Sequence, residues 1–186
     1  MDIIVTAFVS IDGVIEAPGG EEGYRNAGWT FKAVDFDPAA YQLKGTEQEA
    51  AGGLLLGRKS YEAFAPVWGS MDDFKTYNAL PRYVVSTTLQ EDDERWPATI
   101  LRSLDDVAEL KNQEGAPLLV HGSGEFGAAL ADAGLVDRYH LLVFPLLLGA
   151  GKRLWSTTDK DLTKLQLVEQ EFYGNGIQKQ IWDVVR

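Results

Sequence analysis

The chain has 186 residues, no cysteine and a formal net charge of −11, from 28 Asp+Glu against 17 Lys+Arg. That length suits a single domain, 1–186, at roughly 100–200 residues per domain. The absence of cysteine excludes a disulfide framework, a thiolate-held metal and a thiol nucleophile, and the acidic balance argues against a nucleic-acid partner, which needs a basic face.

Met1-Asp2 leads directly into an apolar run. No basic segment precedes it, and no stretch approaches the roughly 18 apolar residues of a membrane span, so a cytoplasmic protein with no membrane attachment is expected. Ile3 to Val9 is β-branched and apolar at almost every position, the pattern of a strand buried on both faces. Asp12-Gly13 gives a turn, and Pro18 to about Thr30 reads as a long Gly-rich loop. Asp37-Pro38 places an N-cap and an N1 proline ahead of a helix running to about Ala50.

Gly53 to Gly57 reads as a short buried strand. A helix follows from Arg58 to about Phe64, closed by Pro66, and a short helix is expected from Met71 to Asn78. Strands are expected at Arg82–Ser86, Thr99–Leu101, Leu118–Val120 and Tyr139–Phe144. Gln90 to Trp96 reads as an acidic surface loop. Ser103 caps a helix to about Gln113, and a further helix from Gly124 ends at Gly134. Around Gly174-Asn175-Gly176, Leu165–Tyr173 and Ile177–Val185 form a hairpin signal. Strands alternating with helices imply an α/β fold with a mostly parallel twisted sheet, and the hairpin adds an antiparallel C-terminal edge.

Ligands of open α/β sheets bind beyond the carboxyl ends of the strands. Three such ends stand out. Gly57-Arg58-Lys59-Ser60 puts two cations and a hydroxyl at a helix start, where free N–H groups already attract anions. His121-Gly122-Ser123-Gly124-Glu125-Phe126-Gly127 spells G-x-G-x-x-G between a strand and a helix, the context in which glycines let a pyrophosphate approach the backbone. Ser86-Thr87-Thr88 offers three hydroxyls to phosphate or ribose oxygens. Arg58 and Lys59 suggest the additional phosphate that distinguishes NADP from NAD. Gly149-Ala150-Gly151-Lys152 fails the P-loop pattern, because Leu146 and Arg153 stand where Gly and Ser/Thr are needed. His121 and His140 are too distant in sequence to suggest a metal pair, so no metal site is expected, and both read as core or loop residues.

The succession Phe8-Val9-Ser10-Ile11-Asp12-Gly13, Gly57-Arg58-Lys59-Ser60-Tyr61-Glu62, Val84-Val85-Ser86-Thr87-Thr88, His121-Gly122-Ser123-Gly124 and Pro145-Leu146-Leu147-Leu148-Gly149-Ala150-Gly151 resembles the dihydrofolate-reductase-like family. Within it the likeness is greatest to stand-alone relatives of the C-terminal reductase domain of the bifunctional riboflavin-biosynthesis deaminase/reductase. The resemblance implies a dihydrofolate-reductase-like three-layer fold, NADPH as cofactor and hydride transfer to a small pyrimidine- or pteridine-like heterocycle. By position it implies that Gly57, Arg58, Lys59 and Ser60 hold the 2′-phosphate and pyrophosphate, that Ser86, Thr87 and Thr88 face the adenosine, and that Gly122, Ser123, Gly124, Glu125 and Phe126 hold the pyrophosphate and nicotinamide side. Asp12 would contact substrate and is the candidate acid. Phe8, Ser10, Trp29, Phe31 and Trp68 are the candidate substrate-lining residues, between the first strand, the long loop and the helix after Asp37. The resemblance also implies a homodimer, for which Leu141–Leu148 and the hairpin offer a surface. A nucleotide-sensing module that has lost catalysis, a dihydrofolate reductase, and a structural protein with an incidental glycine motif are the alternatives.

Overall fold

The computed structural model describes residues 1–90, 96–155 and 161–186. The acidic loop expected at Gln90 to Trp96 lies mostly outside the described residues. Eight strands join in one sheet: β1 (Ile3–Ser10), β2 (Gly53–Gly57), β3 (Arg82–Val85), β4 (Thr99–Leu101), β5 (Leu118–His121), β6 (Arg138–Phe144), β7 (Lys164–Phe172) and β8 (Gln178–Val185). Their order is β4-β3-β2-β5-β1-β6-β8-β7. The first six are mutually parallel, and β8 pairs antiparallel with both β6 and β7. The fold is thus the α/β, mostly parallel sheet with an antiparallel hairpin that the dihydrofolate-reductase-like motifs imply.

The helices are α1 (Trp29–Lys32), α2 (Pro38–Ala50), α3 (Arg58–Trp68), α4 (Lys75–Ala79), α5 (Leu104–Lys111) and α6 (Gly124–Asp132), with one 3-10 turn at Asp72–Phe74. Alternation along the strands sorts them into layers. Ile3, Val5, Leu118 and Val120 pack with Val107 of α5 and Leu130 of α6. Ile4, Leu54, Leu56 and Leu119 pack with Tyr61 and Ala65 of α3 and Tyr77 of α4. Leu142, Phe144 and Ile181 pack with Ala40 and Leu43 of α2. The sheet is therefore sandwiched, with α5 and α6 on one face and α2, α3 and α4 on the other. Leu54, Leu55 and Leu56 are each 0% exposed, and burying a leucine contributes about 2 kcal/mol.

Local signals explain most element boundaries. The Asp37 carboxylate accepts from the Ala39 N–H at 3.0 Å ahead of Pro38. Ser103 and Asp106 close a reciprocal capping box at α5. Two boundaries depart from the sequence reading. The expected long loop ends in α1, because Trp29 and Thr30 are buried and the Trp29 indole N–H donates to the Glu16 carbonyl at 2.8 Å. Nor does α3 stop before Pro66; it runs on to Trp68. Buried Ala65 and the stack of Trp68 on Phe64 and Phe74 outweigh the cost of an interior proline, about 3 kcal/mol. No helix among the described residues is long and apolar enough to cross a membrane.

Candidate functional site

Because β5 is inserted between β2 and β1, the segments leaving β2 and β5 are neighbours. The Ser60 and Ser123 hydroxyls are 2.8 Å apart, and Lys59 Nζ pairs with the Glu125 carboxylate at 3.1 Å. Gly57 makes the approach possible: a Cβ there would meet Phe126 Cβ at 3.0 Å. Gly122 and Ser123 both take left-handed backbone, φ 56° and φ 54°. A Cβ on Gly122 would meet nothing within 4 Å, so this loop faces open space. Ser123 holds a conformation that costs a non-glycine residue about 1 kcal/mol, and its hydroxyl donates to the His121 carbonyl at 2.9 Å.

These residues form one end of a cavity of about 550 Å3. Lys59, Ser60, Gly122, Ser123, Gly124 and Lys152 line that end. Phe8, Phe31, Tyr41, Phe64, Trp68 and Phe74 line much of the rest. Trp68 is sandwiched between Phe64 and Phe74, with ring centroids 4.2 and 4.6 Å away and planes 5° apart in both pairs. The size falls within the range of small-molecule sites. A dinucleotide fits the polar end: hydroxyls, lysines and open left-handed backbone converge there, as a pyrophosphate requires.

Several expected site residues are placed elsewhere. Arg58 is exposed, outside the cavity lining, and grips Glu62 with Nη1 at 3.0 Å from both carboxylate oxygens. The Arg58–Glu62 and Lys59–Glu125 pairs are solvent-exposed, worth only about 0–1 kcal/mol each, so an anion can exchange with either carboxylate. The Ser86 hydroxyl accepts from the Thr88 and Leu89 N–H groups, capping its own turn, while Thr87 and Thr88 are exposed outside the cavity lining. Trp29 is core, edge-on to Phe144 at 5.1 Å, and does not line the cavity. Ser10 is buried with its hydroxyl donating to Asp12. Phe8, Phe31 and Trp68 do line the cavity.

Asp12, expected as the acid, is placed outside the cavity lining as a clamp between two segments. Its carboxylate accepts from Ser10 Oγ at 2.7 Å, Leu148 N at 3.0 Å and Gly149 N at 2.8 Å. These bonds, that of Ser10 foremost, hold its carboxyl at about 2, below the usual 3.8. It carries no proton to donate near neutral pH, and it does not line the cavity. The Ser-x-Asp-Gly and Pro145–Gly151 motifs therefore hold each other: the Arg153 guanidinium adds bonds to the Asp12 and Gly149 carbonyls.

Sequence reasoning missed the polar row under the cavity. Thr6 of β1 stands opposite His121 of β5 and His140 of β6. Thr6, Lys44, Tyr77 and His121 line the cavity. His121 Nε2 is 2.9 Å from the Tyr77 hydroxyl, and burial drives this imidazole down to about 3, so it is neutral. Burial likewise raises the Tyr77 phenol well above its ordinary value. Glu47, 3% exposed, accepts from Thr6 Oγ1 at 2.7 Å and from Lys44 Nζ at 3.1 Å. Burial pushes the Glu47 carboxyl up, but the Lys44 charge and the bonds from His140 and Thr6 outweigh it and leave it at about 2. One signal was available: Ala40, Leu43 and Glu47 share the buried stripe of α2, so a charge sits where helical spacing demands an apolar side chain.

Known proteins agree with this architecture. The curated protein YyaP of Bacillus subtilis (strain 168), described as uncharacterized, is 26% identical over 184 residues, spanning 94% of this chain and 90% of that one. A structure from Shewanella sp. PV-4, named as a candidate riboflavin biosynthesis protein, superposes with a TM-score of 0.77 at 21% identity, covering 100% of both chains. RibD of Acinetobacter baumannii superposes with a TM-score of 0.68 at 13% identity, over 99% of this chain and 58% of that one. A pyrimidine reductase-like protein of Corynebacterium diphtheriae gives 0.61 at 13% identity, covering 100% of this chain and 92% of the other. The model of the RibD C-terminal domain matches residues 2–179, and the chain accordingly belongs to the RibD C-terminal domain family, a family of oxidoreductase-like enzymes.

Proposed function

We propose that this protein is an NADPH-dependent reductase that transfers hydride to a C=N or C=O bond of a pyrimidine- or pteridine-like heterocycle, in the manner of 5-amino-6-(5-phosphoribosylamino)uracil reductase. The observation that supports this reading is one cavity in which an end lined by Lys59, Ser60, Gly122, Ser123, Gly124 and Lys152 meets an aromatic end. NADPH supplies the hydride when bound; the protein's share is to hold and orient both partners. Ser60, Ser123 and the Gly122–Gly124 backbone would take the pyrophosphate, with Lys59 and Lys152 adding charge. Arg58, released from Glu62, would take the 2′-phosphate. The Phe64–Trp68–Phe74 stack and Phe31 would flank a flat ring and exclude water from it.

The test is NADPH oxidation with the ribosylaminouracil phosphate and, separately, with dihydrofolate. The reading expects turnover with the former and slower turnover with NADH. Stabilisation by NADPH with no turnover on either compound would favour a sensing module, and no stabilisation by either nucleotide would end the reading. The same reading includes a cytoplasmic homodimer. β7 lies at the sheet edge and exposes Leu167, Val168 and Phe172. Sedimentation at the monomer mass would contradict the dimer.

A further inference from the structure

A second cavity of about 240 Å3 lies on the same face of the sheet, between α2 and the antiparallel strands. His140, Glu169, Glu171, Tyr173 and Lys179 are among its lining residues, as is Glu47. It is separated from the first cavity by the Lys44–Glu47–His140 chain. Glu47 accepts from His140 Nδ1 at 2.9 Å through Oε1 and from Lys44 Nζ at 3.1 Å through Oε2. In the resting state the ionised carboxylate accepts, so His140 Nδ1 carries the proton in that bond. His140 Nε2 is buried and has no hydrogen-bond partner among the described residues. At the other end, Lys44 uses two of its three N–H donors on Thr6 and Glu47. The third has no hydrogen-bond acceptor among the described residues and is left for the main cavity, where Lys44 Nζ lies 5.1 Å from the centroid of the Phe8 ring.

A buried carboxylate, a lysine and a histidine in line between two cavities are expensive to keep in a core that apolar residues could fill. We propose that Lys44 delivers the proton that completes the reduction, and that Glu47 and His140 return a proton to it from the second cavity. This rests on the reductase reading. As hydride from the dihydronicotinamide reaches the substrate carbon, the π pair of the C=N or C=O bond moves to nitrogen or oxygen. That atom takes a proton from Lys44 Nζ. The neutral amine regains one in a concerted shift: Thr6 Oγ1 gives its proton to Lys44 and takes one from Glu47 Oε1, which receives the Nδ1 proton of His140 as Nε2 takes a solvent proton in the second cavity. The charged groups near the route are Glu169, Glu171 and Lys179 in the second cavity and Asp183, paired with Arg138, beside His140; His121 near Lys44 is titratable but neutral. Lys179 pairs with both Glu169 and Glu171, at 2.6 and 2.8 Å, so their charges are largely met locally.

The test has two arms. In the first, histidine is labelled with nitrogen-15; there are only two histidines, so both are assigned by single substitution. His140 is expected to carry its proton on Nδ1, and Lys44→Met and Glu47→Gln are each expected to shift that Nδ1 nitrogen-15 resonance, because the bond to Glu47 links it to Lys44. A His140 that carries its proton on Nε2, or an Nδ1 resonance indifferent to Lys44→Met, would overturn the relay. In the second arm, NADPH oxidation is followed with the ribosylaminouracil phosphate. Lys44→Met should lower kcat by about 100-fold or more, the usual scale of general acid catalysis, with NADPH binding kept. His140→Ala should lower kcat and regain it with added imidazole, which a merely structural histidine would not; His140→Ser, which also leaves room for imidazole, serves if the alanine variant unfolds. Unchanged kcat in Lys44→Met, or no rescue of either His140 variant, would overturn the proposal. Wild-type protein that binds NADPH without oxidising it contradicts the reductase reading instead, and the nitrogen-15 arm then decides the relay alone.

Discussion

Replacing Glu47 by Gln keeps the side-chain shape and the acceptor for Thr6, but it removes the charge that faces Lys44 and His140. The magnitude follows from proton linkage. The carboxyl is held at about 2 against an ordinary 4.5, a difference worth about 3 kcal/mol at about 1.4 kcal/mol per pH unit. A group whose native value is depressed stabilises the fold above its unfolded value and loses that contribution as pH falls through the native one. The full effect is therefore present above 4.5 and lost on descending toward 2. Urea unfolding of the wild type and Glu47→Gln at about pH 7 and about pH 3 reads it directly. At the higher pH the variant should be less stable by about 3 kcal/mol, or about 6–12 °C in Tm for a chain of this size. At the lower pH the difference should shrink to less than half. Equal stability at neutral pH, or a deficit that persists unchanged into acid, would refute the view that this buried carboxylate is ionised and held by Lys44, His140 and Thr6.

Asp12→Ala should lower stability by about 1–3 kcal/mol, since two backbone N–H groups lose a charged acceptor, while the rate of NADPH oxidation per folded molecule stays within about threefold, far less than the loss of a general acid brings. A hundredfold loss of rate at unchanged Tm would restore Asp12 to the chemistry. Arg58→Ala should weaken NADPH binding at least about tenfold more than NADH binding, because only NADPH carries the phosphate that draws Arg58 from Glu62. Equal weakening in a calorimetric titration would remove Arg58 from that role.

Much of the scaffold was legible because its signals are local. Asp37-Pro38 starts α2 where an N-cap and an N1 proline demand it, and Gly53–Gly57 is β2. The three strand ends singled out for phosphate chemistry divide more unevenly. Those after β2 and β5 converge, because β5 inserts beside β2 and Gly57 admits Phe126. That after β3 spends its serine on its own turn. What sequence could not supply was long-range pairing. Asp12 reads as a turn residue or a catalytic acid until Leu148 and Gly149 are seen donating to it across more than 130 positions. His121 and His140 read as core or loop residues too distant in sequence to act together, yet registry places both opposite Thr6. Pro66 misled for a similar reason, since the stacking that carries α3 past it involves Phe74 on another element.

The central claim is that the cavity binds a nicotinamide dinucleotide with its phosphates on Ser60 and the Gly122–Gly124 loop. Titration of NADPH into wild type and Ser60→Asp, followed through tryptophan fluorescence, tests it most directly, because Trp68 lines the same cavity. Wild type should show saturable binding, and the added carboxylate should weaken it at least about fivefold, since a like charge at contact distance costs about 1 kcal/mol or more. No saturable binding to wild type, or equal affinity in the Ser60→Asp variant, would contradict the account.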